Sequence, residues 1–543
     1  MNILAVIPAR GGSKGIPRKN LRLLNGHPLL HYAIANARAC PLIQDVAVTS
    51  DEEEILTVAQ KEGAVPLLRD PQLARDAVTL DPVIHDALLQ MERQTGRRYD
   101  VVVTLQPTSP TLKASTLQKA LETFVQGEMD SLISVVNQPH LAWSKGEQGY
   151  YPLYEKRLNR QQLPPNYVEA GAFLLSRREW VTPQSRLGER VSVFEISPQE
   201  GIDIDSPQDW VQCQAILQRK KILFRADGYQ ALGMGHIYHC LTLAYHLMGH
   251  EVLFVTKVQH VQGVQKIQQA HMPLRTFHNQ TEFFSILEQE RPDVLVHDCL
   301  DTTPPYMQAL KERCPRVVTM EDLGEGAKYA DVVINALYDR VPPWGSKVYT
   351  GEDYVCLREE FLLARPKDFS PQVRQVLVLF GGTDPSNLTG QVYALAQKLV
   401  AQDPQLRFTF VVGLGYDWTA HGVLPRSGID VLQNVSLVSA HMEQADLAFT
   451  SQGRTVYELA SLGVPAIVLA QNQREQLHTF AQMHNGFLNL GLGSRLTQDT
   501  LEQAFAFLTN TPQLRQEMRQ LMLAHRDRLC QGVENEIRLI LGG

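Results

Sequence analysis

Cysteine is scarce and scattered. Seven residues among 543 stand at positions 40, 213, 240, 299, 314, 356 and 530, with no Cys-x-x-Cys pair. That argues against zinc ribbons and disulfide scaffolds and suits a reducing cytoplasm. Long apolar runs are missing too: none approaches the roughly 18 residues that a spanning helix needs. The opening run Ile3-Leu4-Ala5-Val6 is short and has no basic stretch before it, so it reads as a strand rather than a leader. Neither sign of charge is in large excess, the net value being −7. A nucleic-acid surface or polybasic membrane anchor is therefore not expected. What remains is ordinary globular material, 44% hydrophobic and 20% charged, long enough for several domains.

The chemistry concentrates first in Ile7-Pro8-Ala9-Arg10-Gly11-Gly12-Ser13-Lys14-Gly15-Ile16-Pro17-Arg18-Lys19-Asn20, directly after the opening run. A buried parallel strand ending in a ligand loop is expected there. The loop has neither the Walker pattern nor Gly-x-Gly-x-x-Gly. Its glycines allow close backbone approach, while Arg10, Lys14, Arg18 and Lys19 supply charge for phosphates. Residues 29–37 have helical spacing, 45–51 read as a second strand and 52–62 as a helix. That order marks a doubly wound parallel sheet. Residues 101–105 form another buried strand, ending in Gln106-Pro107-Thr108-Ser109-Pro110 where such sheets place ligands. Residues 201–207 read as a further strand end. Alternation there sets Asp203 and Asp205 on one face, within reach of one hard cation. A helix from 208 to about 219 closes the domain.

Taken in order, these segments resemble the signature of sugar-activating cytidylyltransferases, CMP-sialic acid synthetase and its relatives on other nine-carbon 2-keto sugar acids. Leu68-Arg69-Asp70-Pro71-Gln72-Leu73-Ala74-Arg75-Asp76 is similar to a further family segment. So is Asn159-Arg160-Gln161-Gln162-Leu163-Pro164 followed by Glu169-Ala170-Gly171-Ala172. The resemblance covers residues 1–218 and implies a Rossmann-like nucleotidyltransferase domain that takes CTP and the sugar acid and releases pyrophosphate. It implies Arg10, Lys14 and Lys19 on the triphosphate, Arg10 and Lys19 being catalytic, with Asn20 and Gln106 binding substrate. Arg160 would hold the sugar acid's carboxylate, or else be a surface arginine in an arm. Mg²⁺ would sit on Asp203 and Asp205. A homodimer or higher homo-oligomer, joined through an arm at 143–162, is also implied.

At Lys220-Lys221 the chain restarts, with strands at 222–227 and 251–256 around a glycine-rich loop at 228–235. His236 would open the following helix, where the dipole disfavours an imidazolium and leaves a base. Strands at 294–298, 316–322 and 331–335 follow, and a second Rossmann-like set begins at 375. The expectation is an α/β chain of three parts, 1–218, 220–372 and 373–543, the last two forming a two-lobed glycosyltransferase B-like unit joined within 340–375. Thr455 and Glu458 have capping-box spacing. In glycosyltransferase B enzymes a glutamate on that helix holds the ribose of a UDP-sugar, and both roles can coexist. Phe-Arg-Ala-Asp, Gly-x-Gly-His, Gly-Gly-Thr-Asp and Gln-Gly-Arg-Thr-Val-Tyr-Glu-Leu together resemble the UDP-sugar hydrolase of pseudaminic acid biosynthesis. This implies His236 as the base for water, with Gly382, Thr455 and Glu458 binding the UDP-sugar. His239 stands where that family has arginine, and Cys299-Leu300 where it has a tyrosine. A glycosyltransferase and a non-catalytic nucleotide-sugar module are the alternatives for this half.

Overall fold

The computed structural model describes residues 1–12, 15–230, 232–338 and 347–543. It divides into two compact units, Met1–Arg219 and Lys220–Gly543. Among the described residues no helix is long and apolar enough to cross a membrane.

The first unit is a seven-stranded sheet in the order Val191–Glu195, Ser131–Asn137, Tyr167–Arg177, Val101–Leu105, Ile3–Pro8, Asp45–Ser50, Val65–Leu68. The opening run is apolar throughout because both its faces are covered: Ile3, Ala5 and Ile7 enter one core, Leu4 and Val6 the other. The sheet is not wholly parallel as expected. Tyr167–Arg177 runs antiparallel to both neighbours, with a register shift between Glu169 and Leu174 that spans Gly171 at φ 70°. A second difference concerns Asp203 and Asp205, which lie in extended backbone outside any strand. Ile204 donates one bond to the Thr108 carbonyl, and Pro207 then starts the helix Pro207–Leu217 behind a Ser206–Asp209 capping box. Trp143–Gly146 and Gly149–Pro152 pair only with each other and expose Trp143, Tyr150 and Tyr151.

The second unit carries two all-parallel sheets. The first runs Leu274–Phe277, Glu251–Lys257, Lys221–Ala226, Val294–Asp298, Arg316–Met320, Val332–Asn335, Val348–Thr350. The second runs Ile429–Gln433, Arg407–Val412, Gln375–Leu379, Leu447–Thr450, Ala466–Ala470, Phe487–Leu492. In both, the chain's first strand lies between its second and fourth, so each sheet has a switch point where the connections diverge and a crevice opens. The stretch expected to link the lobes falls partly at 339–346, outside the described residues. Its described part is structured, holding the edge strand Val348–Thr350 and the helix Glu359–Leu363. The second sheet's first strand begins at Gln375, but the end of the chain does not stay with that sheet. The last helix, Arg526–Leu541, returns to the first sheet and places Val533 and Ile540 in that sheet's core. Apolar side chains on one helical stripe decide where a helix docks, whatever its place in the chain.

Candidate active sites

In the first unit the loop after Ile3–Pro8 and the turn after Val101–Leu105 flank the sheet's switch point. Asn20, almost fully buried, donates from Nδ2 to the Arg10 carbonyl at 2.9 Å and ties the loop's two ends together. Lys19 Nζ donates to the Ile204 carbonyl at 2.5 Å and lies 3.2 Å from Asp205 Oδ1. A Cβ at Gly15 would come 2.5 Å from the Asp205 carbonyl, so only glycine lets the loop pass. Gly11 donates its N–H to Asp51 Oδ1, and Arg10 pairs with Asp76 at 2.7 Å. Lys14 lies outside the described residues.

Asp203 sits beside this loop, half-buried. Burial comes first in raising its carboxyl above the usual range, and Asp205 adds to that while Lys19 opposes it. Its Oδ1, like Asn20 Oδ1 and the Ser109 hydroxyl, is buried with no hydrogen-bond partner among the described residues. Unpartnered buried oxygens beside an exposed second carboxylate suit a hard cation. Among the described residues no cluster of three or more His, Cys, Asp and Glu is built for a metal, so the two aspartates would be its only carboxylate ligands. Gln106 and Gly171 line a cavity of about 280 Å³ next to this point, together with Asp81, Thr104, Glu169 and Arg186.

The structure thus brings Arg10, Lys19, Asn20, Asp203 and Asp205 together, with Gln106 on the adjoining cavity wall. It does not bring Arg160. That residue opens the short turn Arg160–Gln162 and is exposed. Two arginines carry more geometry. Arg69 is buried against the Thr49 carbonyl (2.7 Å), and Arg186 bonds Asp81 and Thr104 in the cavity wall. Arg69 lies inside a segment already singled out, whereas nothing in the spacing marks Arg186.

In the second unit a cavity of about 760 Å³ lies between the two sheets. Gly382, Thr455, Glu458 and His236 all line it. A Cβ on Gly382 would meet Met234 at 3.3 Å, which shows how closely the two glycine-rich loops approach. The expected capping box is absent. Arg454, not Thr455, holds the N-cap position of Thr455–Leu462 and makes no side-chain cap. Glu458 instead takes the Arg358 guanidinium at 3.0 Å. Burial raises the Glu458 carboxyl and Arg358 restrains it.

His236 stands in the first turn of Gly235–His246, and Asp298 ends the strand next to Lys221–Ala226. They face each other across the switch point. His236 Nδ1 is 2.6 Å from Asp298 Oδ1, and His239 Nδ1 is 2.8 Å from Oδ2. His239 Nε2 lies 2.9 Å from a carboxylate oxygen of Glu536. Asp298, His239 and Glu536 are all buried. Burial opposes the Asp298 charge, yet the two imidazoles hold its carboxyl far below the usual range. Burial and Arg454 likewise oppose charge on His239, but Glu536 and Asp298 raise it to about 9. Arg454 pairs with Glu321 at 3.2 Å. Glu321 sits at φ 52°, and burial pushes its carboxyl up to about 7. Asp298, at a strand end, was legible by position. Glu321, directly after the strand Arg316–Met320, was legible in the same way, whereas Glu536 carries no signal in the sequence.

The Cytidylyltransferase family profile matches residues 4–168. The pseudaminic acid cytidylyltransferase of Campylobacter jejuni subsp. jejuni is 32% identical over 235 residues, which are 42% of this chain and 98% of that protein. The N-acylneuraminate cytidylyltransferase A of Danio rerio is 33% identical over 216 residues, 38% of this chain. The chain spans about half the length of some relatives, 49% of the Danio rerio protein and 57% of an uncharacterized Methanocaldococcus jannaschii protein. The crystal structure of Acinetobacter baumannii MurG overlaps 60% of this chain and all of that one, with 16% identity and a TM-score of 0.45.

Proposed function

Because the chain belongs, through its N-terminal unit, to the cytidylyltransferase family, we propose that this unit joins CMP from CTP to a sialic acid-like nine-carbon 2-keto sugar acid. The observation that carries the reading is the closed loop. Asn20 holds the Arg10 carbonyl, and Lys19 bridges from the loop to Ile204 and Asp205. Arg10 and Lys19, with Lys14, neutralise the triphosphate and hold its α-phosphorus against the sugar hydroxyl. The hydroxyl oxygen bonds to phosphorus as the bond to pyrophosphate breaks. Such transfers gain chiefly from positioning and charge neutralisation. A magnesium ion, held by Asp203 and Asp205, would add positive charge beside the phosphates. Gln106 and the cavity beside it receive the sugar acid.

Pyrophosphate release from CTP and a nonulosonic acid tests this. Chelation should abolish release and Mg²⁺ restore it. Asp203→Asn should raise the Mg²⁺ concentration required by about tenfold, the usual scale for a lost ligand interaction of ~1.4 kcal/mol. Release that ignores chelator and substitution alike would sink the metal assignment.

For the second unit the proposed reaction is hydrolysis of a UDP-diacetamido-trideoxyhexose. His236 Nδ1–H donates to Asp298, which leaves Nε2 as acceptor. Water gives its proton to Nε2 and its oxygen to the anomeric carbon, and the bond to UDP breaks. UDP release from such a donor, lost in His236→Ala, supports this reading. Transfer to a sugar acceptor would make the unit a glycosyltransferase, and UDP binding without turnover a binding module.

A further inference from the structure

We infer that Glu536 and His239 are positioning residues for His236: with Asp298 they form a buried chain of charged groups that fixes the orientation of the imidazole on the cavity wall. The inference rests on the hydrolase reading of the second unit. It adds to that reading a role for the last helix of the chain.

The chain of contacts is continuous. It runs from His236 Nδ1 to Asp298 Oδ1 (2.6 Å), from Oδ2 to His239 Nδ1 (2.8 Å), and from His239 Nε2 to Glu536 (2.9 Å). Both ring nitrogens of His239 face carboxylates, and protons on both let it donate to Asp298 and to Glu536, with the Arg454 guanidinium also 3.0 Å from Nδ1. His239 is therefore an imidazolium wedged between two anions. His236 and His239 line the cavity; Glu536 does not. The helix had no need of a charge for anchorage, since Val533 and Ile540 already seat it in the apolar core. A buried carboxylate without a partner is costly, so Glu536 and His239 stand or fall together.

The consequence falls on His236. Asp298 is held from its second oxygen by His239, so its first oxygen keeps a fixed direction toward His236 and orients that ring. The other groups around this cluster are Arg454, with its Nη2 3.0 Å from His239 Nδ1, and its partner Glu321. Cys240 lies 3.6 Å from Asp298, and Cys356 and His478 also feel the cluster's charges. Arg454 and Cys356 also feel the charge of Glu536 directly.

The test uses the full chain, Glu536→Gln, and the double variant His239→Gln/Glu536→Gln, which removes both charges and leaves no unpaired ion if the single variant fails to fold. UDP release is followed against pH. In both variants kcat should fall about tenfold or more, as for other groups that orient a reacting residue. In Glu536→Gln KM should stay within about twofold, because Glu536 does not touch the cavity. An unchanged kcat, or a loss confined to KM, overturns the proposal. Nitrogen-15 histidine spectra give a reading independent of turnover. Wild type should show one buried histidine protonated on both nitrogens, and that signature should be absent in Glu536→Gln; a neutral His239 in wild type overturns the proposal. If wild type releases no UDP, the hydrolase reading fails and the catalytic role fails with it. The spectra then still report whether the chain of charges exists, so the two failures are distinguishable.

Discussion

Lys19 is held as few lysines are, its side chain 12% exposed and its ammonium on a carbonyl and a carboxylate 185 and 186 residues away in sequence. A charge fixed in this way costs no reorganisation when phosphate arrives. Lys19→Met should lower kcat for pyrophosphate release by about 10²-fold, the scale for deleting one fixed donor at a developing anion. Steady-state assays with CTP decide it; a change confined to KM would make Lys19 a binding group only. Glu321 makes a prediction about stability. In the folded chain its carboxyl holds its proton up to about 7, whereas its ordinary value is 4.5. Between those values the native state binds more protons than the unfolded one. This contribution is therefore fully present below 4.5 and is lost as pH rises through 7. The span corresponds to something of the order of 3 kcal/mol. Glu321→Gln keeps the shape and cannot titrate, so its unfolding free energy should fall less than wild type's between about pH 5 and 8. Urea titrations of the two proteins at both ends of that window measure the difference. Parallel curves would mean that Glu321 is ionised in the fold.

Among the elements, the last helix shows what separates legible from illegible features. Gly532 lies on it, and a Cβ there would stand 2.0 Å from the Val355 carbonyl. The obstacle is backbone, so it cannot rotate away. Gly532→Ala should cost roughly 1–3 kcal/mol, the range for forced overpacking. Because Glu536 is one turn further on the same face, UDP release should fall too. Melting and turnover measured together check this, and full activity at normal stability would contradict it. The helix's amphipathic stripe was readable as helix, but its docking partner was not. Glu536 meets His239 across 297 positions, and no local spacing encodes that meeting. The strand ends were a different matter. Continuous apolar runs announce buried parallel strands, and ligand loops follow them by the rule of the switch point. Arg10, Lys19, Gln106, His236 and Asp298 were therefore all findable. Asp203 and Asp205 were paired by alternation, a rule applied there to a segment that lies outside any strand. Thr455 failed as a cap because cap position depends on backbone dihedrals at Arg454, which spacing does not show.

At the scale of the whole molecule, the chain folds as two compact units, Met1–Arg219 and Lys220–Gly543. The cores are separate. The first unit's core residues all come from Met1–Arg219, and each sheet of the second unit is filled from Lys220–Gly543. Chains built in this way do not unfold as one cooperative transition. Calorimetry of the intact protein should show two. On the proposed function CTP binds the folded first unit only, so at about 100 times its dissociation constant it should stabilise one transition by ~2.7 kcal/mol. For a unit of this size that is a rise of roughly 5–10 °C. UDP should move the other transition, because the cavity lined by Gly382, Thr455 and Glu458 exists only between folded lobes. The last helix sharpens the expectation. It belongs in sequence to the end of the chain but in packing to the first sheet of the second unit, so that unit's two lobes should melt together. Three transitions, with the lobes apart, would mean that Arg526–Leu541 does not clasp them. A single transition that CTP and UDP raise equally would mean that the two units behave as one.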